Sequence, residues 1–114
     1  MTKLDELLSR LVISPTSNGT YKLLKPLVYR GIIVPYGEET NGGNIPRMFR
    51  GFILPFAPRL LLAFAIHDYF CNLEKYKKAD RLFYKALKDL EVVRWKRRVL
   101  YRIVKTYHRI RYNV

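Results

Sequence analysis

Acidic residues are scarce in this 114-residue chain: nine Asp and Glu stand against 22 Lys and Arg, for a net charge of +13 at pH 7. An excess of that size points to an anionic partner, whether nucleic acid, anionic lipid or an acidic protein surface. Cysteine is scarcer still, with Cys71 alone, so no internal disulfide can form. Small secreted domains usually depend on several, and the expected setting is a reducing compartment or an assembly with other chains. A long uninterrupted apolar run is also missing. The most apolar segment, Gly51 to Phe70, is broken by Pro55, Pro58, Arg59 and the pair His67-Asp68, which suits a core helix and not a transmembrane segment. Met1 to Arg10 is charged and amphipathic, where a secretory signal would have a basic start and then an apolar run, so secretion by a signal peptide is not expected.

What is present argues for a folded domain. Hydrophobic residues make up 49% of the chain, too many for disorder, and the length suits a single domain over residues 1–114. Leu4, Leu7, Leu8 and Leu11 recur at helical spacing, with Thr2 as N-cap and Asp5 three residues on, predicting a leading helix within 1–13. The run S-P-T-S-N-G from Ser14 ends it with turn chemistry. Residues 20–34 read as a small antiparallel β element of two or three strands, in which Pro26 and Gly31 suggest edges or bulges. Residues 35–46 form a Gly-rich loop whose glycines allow backbone groups to turn inward. Three helices follow, over 57–73, 76–90 and 92–110. The first is apolar on nearly every side. The second buries a stripe through Ala79, Phe83 and Leu87 and carries Lys77, Arg81, Lys85 and Lys88 on its other face. The third has Trp95, Val99, Ile103, Val104, Tyr107 and Ile110 on its apolar stripe. The fold class is α+β, with the first of these three helices central.

That central helix carries His67-Asp68, an imidazole beside a carboxylate in apolar surroundings. A buried Asp is costly unless it is paired, hydrogen-bonded or bound to a cation. The connection to the next helix, near Glu74, is short, which favours antiparallel neighbours and puts Asp80 within reach of both residues. His67, Asp68 and Asp80 are therefore the candidate catalytic set, and Asn41, Gly42, Gly43 and Asn44 belong to a loop that could hold an ion or an anion, the plainer reading being an ordinary surface turn. The bland alternative is a satisfied polar network that fixes how the two helices pack. Cys71 lies four residues from His67, but two ligands are too few for a zinc site.

These residues resemble a family of small phage and prophage proteins of unassigned function. The family pattern has a V-P-x-G-F-x-T-D-G-A-S-I-P-R loop, an H-D-Y-L-Y helix and an A-D-x-x-F-x-x-A-L helix. Here Val34-Pro35-Tyr36-Gly37 and Thr40-Asn41-Gly42-Gly43-Asn44-Ile45-Pro46-Arg47 match the loop. His67-Asp68-Tyr69-Phe70-Cys71 and Ala79-Asp80 through Leu87 match the helices. Asn41 stands where the pattern has Asp, and Gly43-Asn44 where it has Ala-Ser. The resemblance implies a phage or prophage origin, and with it a place in the virion or the host cytoplasm. The order of loop, His-Asp helix and second Asp is also similar, at the level of a site, to the calcium-dependent phospholipases A2. That similarity implies His67 as general base, Asp68 with loop carbonyls as ligands of Ca²⁺, and Asp80 as the group orienting the imidazole.

After Glu91 the chain has no acidic residue, while Arg94, Lys96, Arg97, Arg98, Arg102, Lys105, Arg109 and Arg111 add eight positive charges. The leading expectation is a phage-encoded virion structural protein or assembly accessory that binds an acidic partner through this helix, the partner being another phage protein or a second copy. The alternatives are a small metal-assisted ester hydrolase using His67, Asp68 and Asp80 with Ca²⁺, and a nucleic-acid binder of low sequence preference. Under the leading reading no cofactor is expected.

Overall fold

Thr2 opens the chain's first helix. Its hydroxyl accepts from the Asp5 amide at 3.0 Å, and the Asp5 carboxylate accepts from the Thr2 amide at 3.3 Å, which satisfies two of the donors a helix start leaves unpaired. In a computed structural model residues 2–18, 20–40 and 57–112 are described, with side chains throughout except at 57, 58 and 107–112. Helix α1 covers Lys3–Ser9, shorter than the expected 1–13, and places Leu7 in the core with Leu4, Leu8 and Leu11 packed against it. Ile13–Pro15 form strand β1, because β-branched Val12 and Ile13 suit a pleated surface better than a helix end.

Four short strands follow: β2 (Tyr21–Leu23), β3 (Leu27–Tyr29), β4 (Ile32–Val34) and β5 (Glu39–Thr40). They form two antiparallel sheets, not one: β2 is central between β1 and β5, and β3 pairs with β4 alone. Gly31 is not a bulge but half of a two-residue turn, in which Arg30 at φ 47° and Gly31 at φ 77° are both left-handed. Two positive φ values in sequence match the right-handed twist of the flanking strands. In β3 and β4, Leu27, Tyr29 and Val34 turn inward while Val28 and Ile33 face out, the alternation of a sheet with one covered side.

Helices α2 (Ala57–Asn72), α3 (Tyr76–Asp89) and α4 (Arg94–Tyr112) complete the described structure. With α1 and the two small sheets they make a mixed α+β fold. Helix α2 is the centre of the core: Leu62 to His67 are all buried. Each step forward along α2 meets a step back along α3, as the pairs Phe64 with Phe83, His67 with Asp80 and Phe70 with Lys78 show.

Both junctions between these helices use the same stop. After α2 the Glu74 amide donates to Cys71 and the Lys75 amide to Phe70; after α3 the Glu91 amide donates to Lys88 and the Val92 amide to Leu87. Glu74 and Glu91 each sit at φ 59°, the left-handed residue of a Schellman motif, here without the usual glycine. Val92 and Val93, expected inside the last helix, lie in this connection. The buried stripe of α4 runs through Leu100 and Val104, whereas Trp95, expected on that stripe, is 57% exposed.

Candidate functional site

The antiparallel pairing of α2 and α3 brings His67, not Asp68, opposite Asp80. His67 is 5% and Asp80 6% exposed, and His67 Nε2 lies 2.9 Å from Asp80 Oδ1. Phe64 and Phe83 flank the imidazole, the latter with ring centroids 5.2 Å apart. The other ring nitrogen, Nδ1, is 3.8 Å from Asp68 Oδ1 and 3.7 Å from the Cys71 thiol. One carboxylate thus stands near each ring nitrogen, and Asp68 and Asp80 address the imidazole from different sides.

Asp68 is held by a residue that sequence patterning does not single out. Thr40, buried at the end of β5, donates its hydroxyl to Asp68 Oδ2 at 2.5 Å. The register Tyr21 to Thr40 and Lys22 to Glu39 hangs β5 on β2 and so delivers Thr40 to α2. The signal available was the Thr of the matched loop pattern, one residue before Asn41. Asn41, Gly42, Gly43 and Asn44 themselves lie outside the described residues.

Burial alone would pull the His67 imidazolium down, but the carboxylates of Asp68 and Asp80 outweigh it and push it up to about 11 from 6.5. That shift favours the imidazolium at neutral pH. A protonated imidazole has no lone pair with which to take a proton, and its charge would oppose a second cation beside Asp68. Among the described residues no three His, Cys, Asp or Glu side chains gather as a metal-holding group. The carbonyl ligands that the phospholipase similarity assigns to the loop fall outside the described residues.

A second ionic cluster pins the β3–β4 hairpin to the end of α3. The Tyr29 hydroxyl donates to Asp89 Oδ2 at 2.6 Å, and Arg30 donates from Nε to the same oxygen at 2.7 Å and from Nη2 to Oδ1 at 3.0 Å. The Arg30 guanidinium holds Asp89 below the usual carboxylate range, while burial and the Asp89 charge push the Tyr29 phenol up. This clamp is bidentate, a geometry only Arg supplies.

The basic residues of α4 are spread around the helix. Arg94, Arg98 and Arg102, four residues apart, share one exposed side, and with Trp95 and Val99 they line a shallow depression. None of these three arginines has an ion-pair partner among the described residues. Lys105 and Tyr101 face α3 and, with Lys77, Asp80, Arg81, Tyr84 and Lys85, line a cleft of about 550 Å³. Lys77, Arg81 and Lys85 of that cleft were visible in the sequence as part of a polar face; that they join α4 was not. Arg109 and Arg111 belong to α4 by backbone, and their side chains lie outside the described residues. No helix among the described residues is long and apolar enough to cross a membrane.

Compared with known proteins, residues 21–104 match the family described as "Protein of unknown function (DUF1353)". A relative, "Uncharacterized protein y4jT" of Sinorhizobium fredii (strain NBRC 101917 / NGR234), is 38% identical over 77 residues, which cover 65% of this chain and 23% of that protein. The chain thus spans under a quarter of that relative's length. No solved structure matches. The family match begins at β2 and ends in α4, so it takes in Thr40, His67, Asp68 and Asp80 together.

Proposed function

The chain belongs to the DUF1353 family, and since that membership carries no activity with it, we propose that the protein is a phage-encoded virion structural or assembly accessory component that works by binding an acidic partner. The observation that carries this reading is α4: Arg94, Arg98 and Arg102 are exposed along one side of a helix that contains no acidic residue. Unmatched charge of one sign on a folded surface costs self-repulsion and is relieved when a partner of opposite sign covers it. Trp95, exposed beside these arginines, adds the aromatic component that binding patches favour. The phage attribution rests on the resemblance of the His67-Asp68-Tyr69 and Ala79-Asp80 helices to phage and prophage proteins. Mass spectrometry of purified particles tests the virion version. A fixed copy number per particle is expected, and absence from particles would remove it.

Hydrolysis is the reading the site supports less. A general base needs a free lone pair at the operating pH and access to the proton it removes. His67 is buried, with Nε2 committed to Asp80 and a pKa shifted towards the imidazolium, which suits a structural pin that holds α2, α3 and β5 in one arrangement.

A further inference from the structure

The cleft between α3 and α4 has a composition that the exposed side of α4 lacks. Lys77, Arg81 and Lys85 follow one another at intervals of four along the rim contributed by α3, and Lys105 stands on the rim contributed by α4. At about 1.5 Å of rise per residue, the α3 rim presents a cation roughly every 6 Å. Between the rims lie Tyr84 and Tyr101, edge to face with centroids 5.5 Å apart. Cations already sit by these rings: the Arg97 guanidinium 5.5 Å from Tyr84 and the Lys105 ammonium 5.7 Å from Tyr101. The one carboxylate in the lining, Asp80, is buried and hydrogen-bonded to His67, so it presents little of its charge to the cleft.

We infer that this cleft binds single-stranded nucleic acid, with phosphates on the Lys77, Arg81, Lys85 and Lys105 rims and a base against the Tyr84–Tyr101 pair. The inference rests on the proposed binding of an acidic partner, takes that partner to be nucleic acid and not a protein, and seats it in the cleft, with the exposed arginines of α4 as flanking charge that adds to the attraction. Two parts of the lining favour a single strand. Cations in a row track a phosphate backbone, and part-exposed aromatic rings among them offer a stacking surface to any base. A duplex keeps its bases stacked inside and leaves the rings unused.

Fluorescence anisotropy of the full chain with a labelled oligothymidylate of about fifteen nucleotides tests this. Binding is expected to weaken steeply with salt, with a logarithmic slope of about −0.7 for each phosphate the protein neutralises. Arg81→Glu with Lys85→Glu is expected to weaken binding by about tenfold or more and flatten that slope. Tyr84→Leu with Tyr101→Leu is expected to weaken it about tenfold with the slope unchanged, since stacking releases no counterions. Should the leucine pair fail to fold by circular dichroism, the phenylalanine pair serves in its place, with binding retained as the expected result. Arg94→Glu with Arg98→Glu, away from the cleft, is expected to have the smaller effect. Equal loss from both glutamate pairs with none from the tyrosine pair would mean diffuse polyanion attraction and overturn the cleft assignment. Tight binding of a Glu-rich helical peptide without binding of the oligonucleotide would also overturn it, while leaving the acidic-partner reading standing. Failure of both probes to bind would overturn the two together.

Discussion

Helix α3 has two working faces, and they treat charge in opposite ways. Towards α2 it buries Asp80 against His67, with Asp68 and Thr40 completing the set, so each polar group meets a partner. Towards α4 it presents Lys77, Arg81 and Lys85, and the neighbouring helix answers with Lys105 and no carboxylate of its own. Matched charge inside a core fixes an arrangement of elements. Unmatched charge beside a cleft does nothing for the fold, and its use lies in what it attracts. The contrast puts the architecture of this protein at α2–α3, and under the proposed reading its binding at α3–α4.

The largest effect expected on stability comes from breaking the matched face. Asp80→Asn or His67→Ala leaves a buried charge without its partner and should cost about 3–5 kcal/mol in denaturant unfolding. A loss below about 1 kcal/mol would mean that the pair is not a structural pin.

The same pair sets a pH dependence. The folded-state value of His67, about 11, lies above the unfolded value of 6.5. Its contribution is therefore complete below pH 6.5 and drains away as the pH rises towards 11. Because Tyr and Lys titrate in the alkaline part of that window, the informative quantity is the stability difference between the native chain and His67→Gln. It should shrink steadily as the pH rises from neutral to strongly alkaline, followed by urea unfolding at each pH. A constant difference would contradict the assignment.

At the hairpin, Asp89→Asn weakens the Arg30 clamp and replaces a charged acceptor for the buried Tyr29 hydroxyl. A loss of about 1–2 kcal/mol is expected, smaller than at Asp80 because Arg30 is exposed and water takes over its charge. On the unmatched face, Arg81→Glu should leave stability within about 0.5 kcal/mol. A large loss there would erase the distinction between the two faces of α3.

Much of this was legible from local pattern. The Thr2–Asp5 cap, the apolar α2 and the stripe of α3 follow from spacing alone, and the short connection near Glu74 is enough to bring His67 and Asp80 within reach of each other. Other features needed tertiary information. Strands β1 and β5, of three and two residues, are too short to show alternation and exist because β2 offers both its edges. Thr40 meets Asp68 only through that pairing. Trp95 shares its helical spacing with buried residues, yet the face of α4 that docks on α3 is decided by Leu100 and Val104. Tyr84 and Tyr101 lie on different helices, and no local pattern links them into one cleft. The roles of His67 also required geometry: adjacency to Asp68 suggests a catalytic pair, whereas the position between two carboxylates favours the protonated ring.

The protonation of His67 tests the account most directly. Nitrogen chemical shifts of the imidazole ring, followed from about pH 5 to pH 9, report which ring nitrogens carry protons. Both should remain protonated across the range, as an imidazolium between Asp68 and Asp80 requires. A ring that turns neutral with an ordinary pKa near 6.5, freeing one nitrogen at pH 7, would contradict the structural pin and restore His67 as a general base.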